Sequence, residues 1–425
     1  MEKKNKFKIS FVRILAITLF ALTLVFALTS CGDTSPDYVA NQLDELGVPE
    51  FNKSKLKGIE IVYRDYYVDD IPDDTNALAT ETASLYFEHF HEKIDTADTT
   101  AVTDALIHCY VKVIGDTWSV YRSAEEFEDY GTDMSGSFFG IGVVVTYSYI
   151  DETMTVTEVY PESGAEEAGI KPGDLITKVE GQLITEIGYQ NTINKIRGEL
   201  GSFVNITVKR GEEEITVSAK RKKVVEQSVS YQLYEDGIGY IKISSFKSNT
   251  YQQFKEAVDY MTENGAKGII YDLRSNPGGY LSAVVDMLSY ISKKGTTIVS
   301  FTNDYAMPEK DTNNHSVSLP SVVICNEGTA SAGELFTAAM RDFNEVYNLF
   351  EVTTVGVKTY GKGVMQNSYA FTDGSAITLT VAYYNPPSGV NYNSVGITPD
   401  VVIAESDAGD VQLDTARAEI LKLIK

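Results

Sequence analysis

From Ile238 to Met340 the chain repeats one pattern: an apolar run of strand length, then a turn, then a helix. Gly268-Ile-Ile-Tyr-Asp-Leu273 is such a run. It leads into Arg274-Ser-Asn-Pro-Gly-Gly279 and a helix with Leu281, Val284, Val285, Leu288 and Ile291 on one face. Ser321-Val-Val-Ile-Cys325 is another, followed by Asn326-Glu-Gly-Thr-Ala-Ser331-Ala-Gly-Glu334 and a helical pattern through Met340. Ile238–Ile243 precedes a helix over Tyr251–Glu263 that stops at Gly265, and Thr297–Phe301 adds a strand. Buried strands alternating with helices predict an α/β core with much parallel pairing. Ala376–Ala382 and Val401–Ile403 add strands, and Asp414–Ile424 reads as a closing amphipathic helix. The polar stretch Asn303–Leu319 reads as a flap.

The turn after Cys325 presents Ser331 at the start of a helix, beside backbone N–H groups that no helical carbonyl can reach and at the positive end of the helix dipole. An oxyanion is well placed there. A serine hydroxyl needs a base to take its proton. His315 is the sole histidine of this region and sits in the polar segment Asp311-Thr-Asn-Asn-His-Ser, so it reads as solvated. Lys362 lies between Gly361 and Gly363 in Thr359-Tyr-Gly-Lys-Gly-Val-Met-Gln366, and those glycines permit a turn that aims it inward. Burial would lower its pKa and leave a neutral amine. Gln366 could orient that amine without adding charge. Glu334 and Asp342 read as structural. The turn Asp272–Gly279 has two readings: N–H groups of Gly278 and Gly279 that, with that of Ala332, hold a scissile carbonyl oxygen, or a tight turn with an ordinary Asp272–Arg274 ion pair.

Upstream, residues 50–135 read mostly as helix, with Val102, Ala105, Leu106, Cys109 and Val113 on one face of a helix that Gly115 ends, and Ile114–Phe127 as a loop leading into a capped helix. His89, His91 and His108 fall here without ligand spacing around them, so no metal site is expected. Residues 136–222 turn to short strands, Ile141–Tyr147, Met154–Val159, Leu175–Val179, Val204–Lys209 and Glu214–Ala219, with a helix over Tyr189–Ile196. Phe138-Phe139-Gly140-Ile141-Gly142, Val159-Tyr-Pro-Glu-Ser-Gly-Ala165 and Ala168-Gly-Ile-Lys-Pro-Gly-Asp-Leu-Ile176 in this stretch resemble a PDZ domain of the bacterial protease type. Gly140 and Gly142 would let backbone N–H groups face a peptide carboxylate, and the next strand edge would take up an extended peptide.

The formal net charge of −24 argues against a nucleic-acid partner, which needs a basic face. Cys31, Cys109 and Cys325 are far apart and odd in number, so no disulfide framework is expected; the last two read as core residues. Lys3, Lys4, Lys6, Lys8 and Arg13 precede an apolar run over Ile14–Leu28 that is short for a membrane-spanning helix and reads as an export signal, with an uncleaved anchor as the alternative. Leu28-Thr29-Ser30-Cys31 resembles a bacterial lipobox, which implies cleavage before Cys31 and its lipidation. The expected division is therefore a signal peptide over 1–30, a tether over 31–49, a helical region over 50–135, a PDZ domain over 136–222 and a core over 223–425.

Taken together, the phrases from Trp118 onward resemble the C-terminal processing peptidases, or tail-specific proteases. They are Asp272–Gly279, Gly328-Thr-Ala-Ser331-Ala-Gly-Glu334, Thr359–Gln366, Asp373-Gly-Ser375, Tyr384-Asn-Pro-Pro-Ser-Gly389 and Gly396-Ile-Thr-Pro-Asp400. The resemblance implies a crotonase- or ClpP-like α/β core with a PDZ domain ahead of it. It also implies Ser331 as nucleophile, Lys362 as general base and Gln366 as its support. No cofactor is implied. Implied partners are protein or peptide substrates held by their C-termini, a membrane reached through the lipid anchor, and a second copy met through terminal helices. The implied location is extracytoplasmic, in a bacterial envelope. Gly333 stands where a serine is common, the Ser331–Lys362 connection is longer than usual, and Tyr384-Asn-Pro-Pro-Ser388 has an extra proline. A catalytically inactive PDZ scaffold is the alternative from another class, disfavoured by the presence of both Ser331 and Lys362.

Overall fold

The computed structural model describes residues 38–148, 151–302, 309–310, 316–407 and 409–424. The expected signal peptide, Cys31, His315 and most of the expected flap lie outside these residues. The chain forms two compact units, one from residues 1–127 and 366–380, the other from 128–365 and 381–425.

The described part of the first unit is built on three helices, Lys53–Tyr66, Thr75–His89 and Thr99–Ile114. Each begins at a side-chain cap, Asn52, Asp74 and Asp98, whose oxygen accepts orphan N–H groups of the first turn. Leu56, Ile59, Tyr63, Tyr86, Leu106 and Tyr110 are buried. Two features differ from the sequence reading. Within the expected tether, Val39–Gln42 is helical, with Val39, Ala40 and Leu43 buried. The carboxylate of the buried Glu60 accepts both Val39 N–H and Ala40 N–H at 3.0 Å, holding this turn in place. Val120–Arg122, expected in a loop, is a short strand paired antiparallel with Ala376–Thr378. A three-residue strand leaves too little periodicity to see in sequence.

The centre of the second unit is a six-stranded sheet in the order Val229–Leu233, Ile238–Ile243, Gly268–Asp272, Ser321–Cys325, Val352–Gly356, Val401–Val402. The first pair is antiparallel and the rest are parallel. Strand side chains alternate between faces. Ile269, Tyr271 and Val323 pack with Phe254, Leu288 and Phe336 of the helices Thr250–Glu263, Leu281–Ile291 and Ala332–Glu345. Ile270, Val322 and Ile324 pack on the other face with Ala416 and Ile420 of the helix Val411–Leu423. Cover on both faces is why these strands read as unbroken apolar runs.

A second sheet has its own core of Ile141, Met154, Val156, Ile176, Val204 and Ile206, among others. Its main strands run Val143–Ser148, Thr153–Val159, Leu175–Val179, Phe203–Arg210, Glu213–Lys220, all antiparallel. Val143–Ser148 is an edge strand. The accompanying helix, Ile184–Ile196, starts five residues earlier than expected because it continues through a kink at Gly188. Ser137–Gly140 pairs with Lys222–Val225, joining the two ends of this domain. Lys247, almost fully buried, pairs with Asp133 at 2.9 Å and Glu226 at 2.7 Å, just outside those ends.

Candidate active site

Strand Ser321–Cys325 ends at Asn326, whose side chain shapes the following turn: its Oδ1 accepts N–H groups of Ser275 at 2.7 Å and Gly328 at 3.1 Å. Thr329 Oγ1 donates to the Leu273 carbonyl at 2.8 Å and accepts Asn326 N–H at 2.9 Å. The two strand-to-helix turns, after Asp272 and after Cys325, are thereby tied together. Ser331 emerges at the tip of the helix Ala332–Glu345 with φ 52° and ψ −118°. A non-glycine residue held there is strained and persists only because its surroundings impose it.

Gly278 explains part of that imposition. With φ 100° it lies so close to the serine that an added Cβ would sit 2.7 Å from Ser331 Cβ and 3.0 Å from Ala332 N. The glycine pair of the first turn and the tip of the Ser331 helix are therefore in contact. Ala332 is the first helical residue, so its N–H has no intrahelical acceptor. The Gly278 N–H donates to Asn276 Oδ1 at 2.8 Å. Gly279 lies against Phe246, whose N–H donates to the Gly278 carbonyl at 2.9 Å and whose carbonyl accepts Tyr280 N–H at 2.7 Å.

Lys362 is half-buried, and its main chain is held on every side. Its N–H donates to Glu334 Oε2 at 2.7 Å and its carbonyl accepts the Tyr384 hydroxyl at 3.2 Å. On one side Gly361 donates to Glu334 Oε1 at 2.7 Å and accepts Ser394 N–H at 2.8 Å. On the other Gly363 donates to Asn393 Oδ1 at 3.1 Å and accepts Asn391 Nδ2 at 3.0 Å. Gly361 has φ 98°, and a Cβ there would come within 2.9 Å of Gly396 N. The flanking glycine thus serves close backbone approach as well as the turn expected from sequence.

Glu334 is the residue that sequence reasoning undervalued. It is fully buried. Besides Gly361 and Lys362, it accepts Ser331 N–H at 3.0 Å and Thr359 Oγ1 at 2.6 Å. One carboxylate at the positive end of a helix thus fastens the serine turn to the lysine loop. Its place three residues after a serine opening a helix is the capping-box signature, and that was the available signal. Tyr384 and Tyr392 stack edge to face beneath, ring centroids 6.1 Å apart, and the Tyr392 hydroxyl donates to the Ser331 carbonyl at 3.4 Å. Burial pushes the Tyr384 phenol up to about 12, so it stays a donor at any physiological pH.

Asp272, fully buried, forms an ion pair with Arg274 at 2.5 Å and accepts the Tyr240 hydroxyl at 2.7 Å; Arg274 also reaches Asp410 at 2.7 Å. The ion pair is present and braces the turn that carries Gly278. Gln366 stands in the strand Val364–Ala370, in the first unit, and its side-chain amide donates to the Trp118 carbonyl. His91 and His108 lie against aromatic rings, and His89 Nε2 is 3.7 Å from the Glu88 carboxylate. Among the described residues, no cluster of three or more metal-ligating side chains is present.

In the second domain Phe138 packs under Arg197, 5.3 Å from guanidinium carbon to ring centre, and Phe139 is exposed. Gly140, Ile141 and Gly142 are buried, and the Gly142 and Ile141 carbonyls are occupied by Tyr160 N–H and Ala165 N–H. The edge strand Val143–Ser148 carries Tyr147 against Tyr189 of the Ile184–Ile196 helix, ring centroids 5.1 Å apart.

Comparison with known proteins bears on this arrangement. Residues 237–403 match peptidase family S41, and residues 155–210 match the PDZ domain. A probable CtpA-like serine protease of Staphylococcus epidermidis (strain ATCC 12228 / FDA PCI 1200) is 34% identical over 362 residues, covering 84% of this chain and 67% of that protein. This chain belongs to peptidase family S41. A further relative of this S41 member, a probable CtpA-like serine protease of Staphylococcus haemolyticus (strain JCSC1435), is 34% identical over 307 residues, covering 71% of the chain. The chain spans about 60% of that relative's length. Among solved structures, the photosystem II D1 C-terminal processing protease has a TM-score of 0.48 at 25% identity, covering 85% of this chain and 95% of that one. A putative S41 protease from Bacteroides fragilis has a TM-score of 0.49 at 15% identity, covering 93% and 100%.

Proposed function

We propose that this S41 member is a serine endopeptidase that cleaves exported proteins from their C-termini, with a Ser331–Lys362 dyad. The observation that carries the reading is the Glu334 tie, which fixes a strained helix-tip serine to the main chain of a glycine-flanked lysine. Ser331 Oγ attacks the scissile carbonyl carbon and Lys362, as a neutral amine, takes the hydroxyl proton. The carbonyl oxygen becomes an oxyanion held by the N–H groups of Ala332 and Gly279. Gly278 joins them when its N–H exchanges Asn276 for the substrate oxygen. Protonated Lys362 then delivers its proton to the leaving amine, and water, deprotonated by the same lysine, releases the acyl group from Ser331.

The PDZ domain takes the substrate's terminal residues as an added strand along Val143–Ser148, with the carboxylate at Phe138–Gly142. Export, cleavage before Cys31 and lipidation of that cysteine place the enzyme on the outer side of a bacterial membrane. The basic and apolar leader and the Leu28–Cys31 phrase support this part.

The deciding experiment is cleavage of an unfolded protein with an apolar tail, compared with the same protein amidated at its C-terminus. Ser331→Ala and Lys362→Ala should each lower turnover by at least about 10³-fold while remaining folded. The amidated substrate should be cleaved more slowly through KM. Turnover by Ser331→Ala equal to that of the unsubstituted enzyme would end the reading.

A further inference from the structure

The Ser331 helix carries a second charged feature, at Arg341, about 15 Å further along its axis. Arg341 lies against a cavity of about 220 Å³ closed by the loop 386–398. Its Nε is fully buried and has no acceptor among the described residues. One of its terminal nitrogens only grazes the Thr398 carbonyl, at 3.5 Å. The neighbouring acids are committed elsewhere: Asp342 Oδ2 accepts Ser388 N–H at 2.9 Å, and Asp400 Oδ2 accepts the N–H and hydroxyl of Thr354, both at 2.8 Å. A guanidinium offers five donors and is suited to a bidentate carboxylate. A buried donor without a partner calls for an explanation. In a chain with 60 acidic residues and 36 basic ones, an uncommitted guanidinium against a cavity is the more telling.

The rest of the lining is apolar or uncharged. Ala338 and Ile397 are buried, and Val390 and Val395 stand 68% and 60% exposed at the mouth. At about 30 Å³ per water-sized group, the cavity holds about seven heavy atoms. We propose that it binds an aliphatic carboxylate of that size, free or as the terminus of a peptide. The carboxylate pairs with Arg341 Nε and a terminal nitrogen, and the branched alkyl group covers Val390 and Val395. The occupant also touches the loop under the lysine. Tyr392 lines the cavity and bonds to the Ser331 carbonyl, and Ser394 of the same loop holds the Gly361 carbonyl. Binding there steadies the segment on which Lys362 rests.

The test uses the full chain labelled with ¹⁵N-arginine and titrated with isovalerate. Isovalerate should shift the Arg341 Nε–H resonance in a saturable way, and isovaleramide, its uncharged analogue, should not. Arg341→Gln should weaken isovalerate binding at least tenfold by calorimetry with an unchanged melting temperature. If Arg341→Gln does not fold, the resonance of the unsubstituted protein decides alone. An acetylated peptide ending in valine that binds tighter than isovalerate identifies the source as a chain terminus; weaker binding identifies a free acid. Equal binding of acid and amide, binding of inorganic phosphate as tight as isovalerate, or no loss in Arg341→Gln would each overturn the assignment. Binding is read at Arg341 itself, so the outcome is independent of whether Ser331 is the nucleophile.

Discussion

Glu334 accepts the main-chain N–H of Lys362 at 2.7 Å, and the same Oε2 accepts that of Ser331 at 3.0 Å. A single carboxylate oxygen thus sets the spacing of two loops that are distant in sequence. Glu334→Gln puts an NH₂ group where only acceptors fit, leaving donors facing a donor. Each buried group left unpaired costs about 1–3 kcal/mol. The expected outcome is kcat lower by about 100-fold with KM changed far less, because the loss is in positioning. Steady-state kinetics with a peptide substrate, beside a thermal melt, checks it. Unchanged kcat would show that the tie is dispensable.

Gly278→Ala tests contact between the two turns. The new Cβ would meet Ser331 Cβ at 2.7 Å with φ at 100°. Backbone strain alone costs about 1–3 kcal/mol. Denaturant unfolding should show at least that loss, and peptide turnover should fall with it. Gly173→Ala is the control: it has positive φ but nothing within 4 Å, so it should destabilise without touching turnover per folded molecule.

Asp174 gives the PDZ domain an acid limit. Arg210 holds its carboxylate with two bonds of 2.7 Å, and the Lys171 N–H adds one of 2.8 Å. These bonds, the Arg210 pair first, hold its pKa below the ordinary 3.8. The contribution is therefore whole above about pH 4 and is lost as pH falls through the lower folded pKa. Hydrogen exchange across 153–220 in the full chain should show protection that is flat from neutral pH to about 4 and falls below it. Asp174→Asn should remove that step and cost about 1–3 kcal/mol at neutral pH.

Cys109 and Cys325 should be silent to thiol reagents. Both are buried, and burial pushes each thiol up to about 12. An alkylating agent at pH 8 should label neither in the native protein and both after denaturation, with peptide turnover unaffected. Mass spectrometry of the alkylated chain checks it. Rapid native labelling of Cys325 would mean that the strand Ser321–Cys325 opens.

Much of the core was legible because its strands are covered on both faces. Ile238–Ile243, Thr297–Phe301 and Ser321–Cys325 have the bounds that their apolar runs predict. The turn glycines and the serine at a helix start were legible as local chemistry. Val120–Arg122 was not, because its reason to be extended is a partner more than 250 residues away. The helical turn at Val39–Gln42 was equally hidden, since the acid that holds it is Glu60, in another helix.

By itself the sequence determined the alternation of strand and helix, the separate β-rich domain, and which residue types stand at the two turns and the lysine loop. Those follow from short-range physics: side-chain periodicity, caps, and glycines where φ is positive. Only the tertiary structure decided that Glu334 joins Ser331 to Lys362, that Gly278 rests on Ser331, and that Arg341 faces a cavity with no acid to meet it among the described residues. These are meetings between segments far apart in the chain, and a linear pattern carries no record of which buried donor reaches which acceptor.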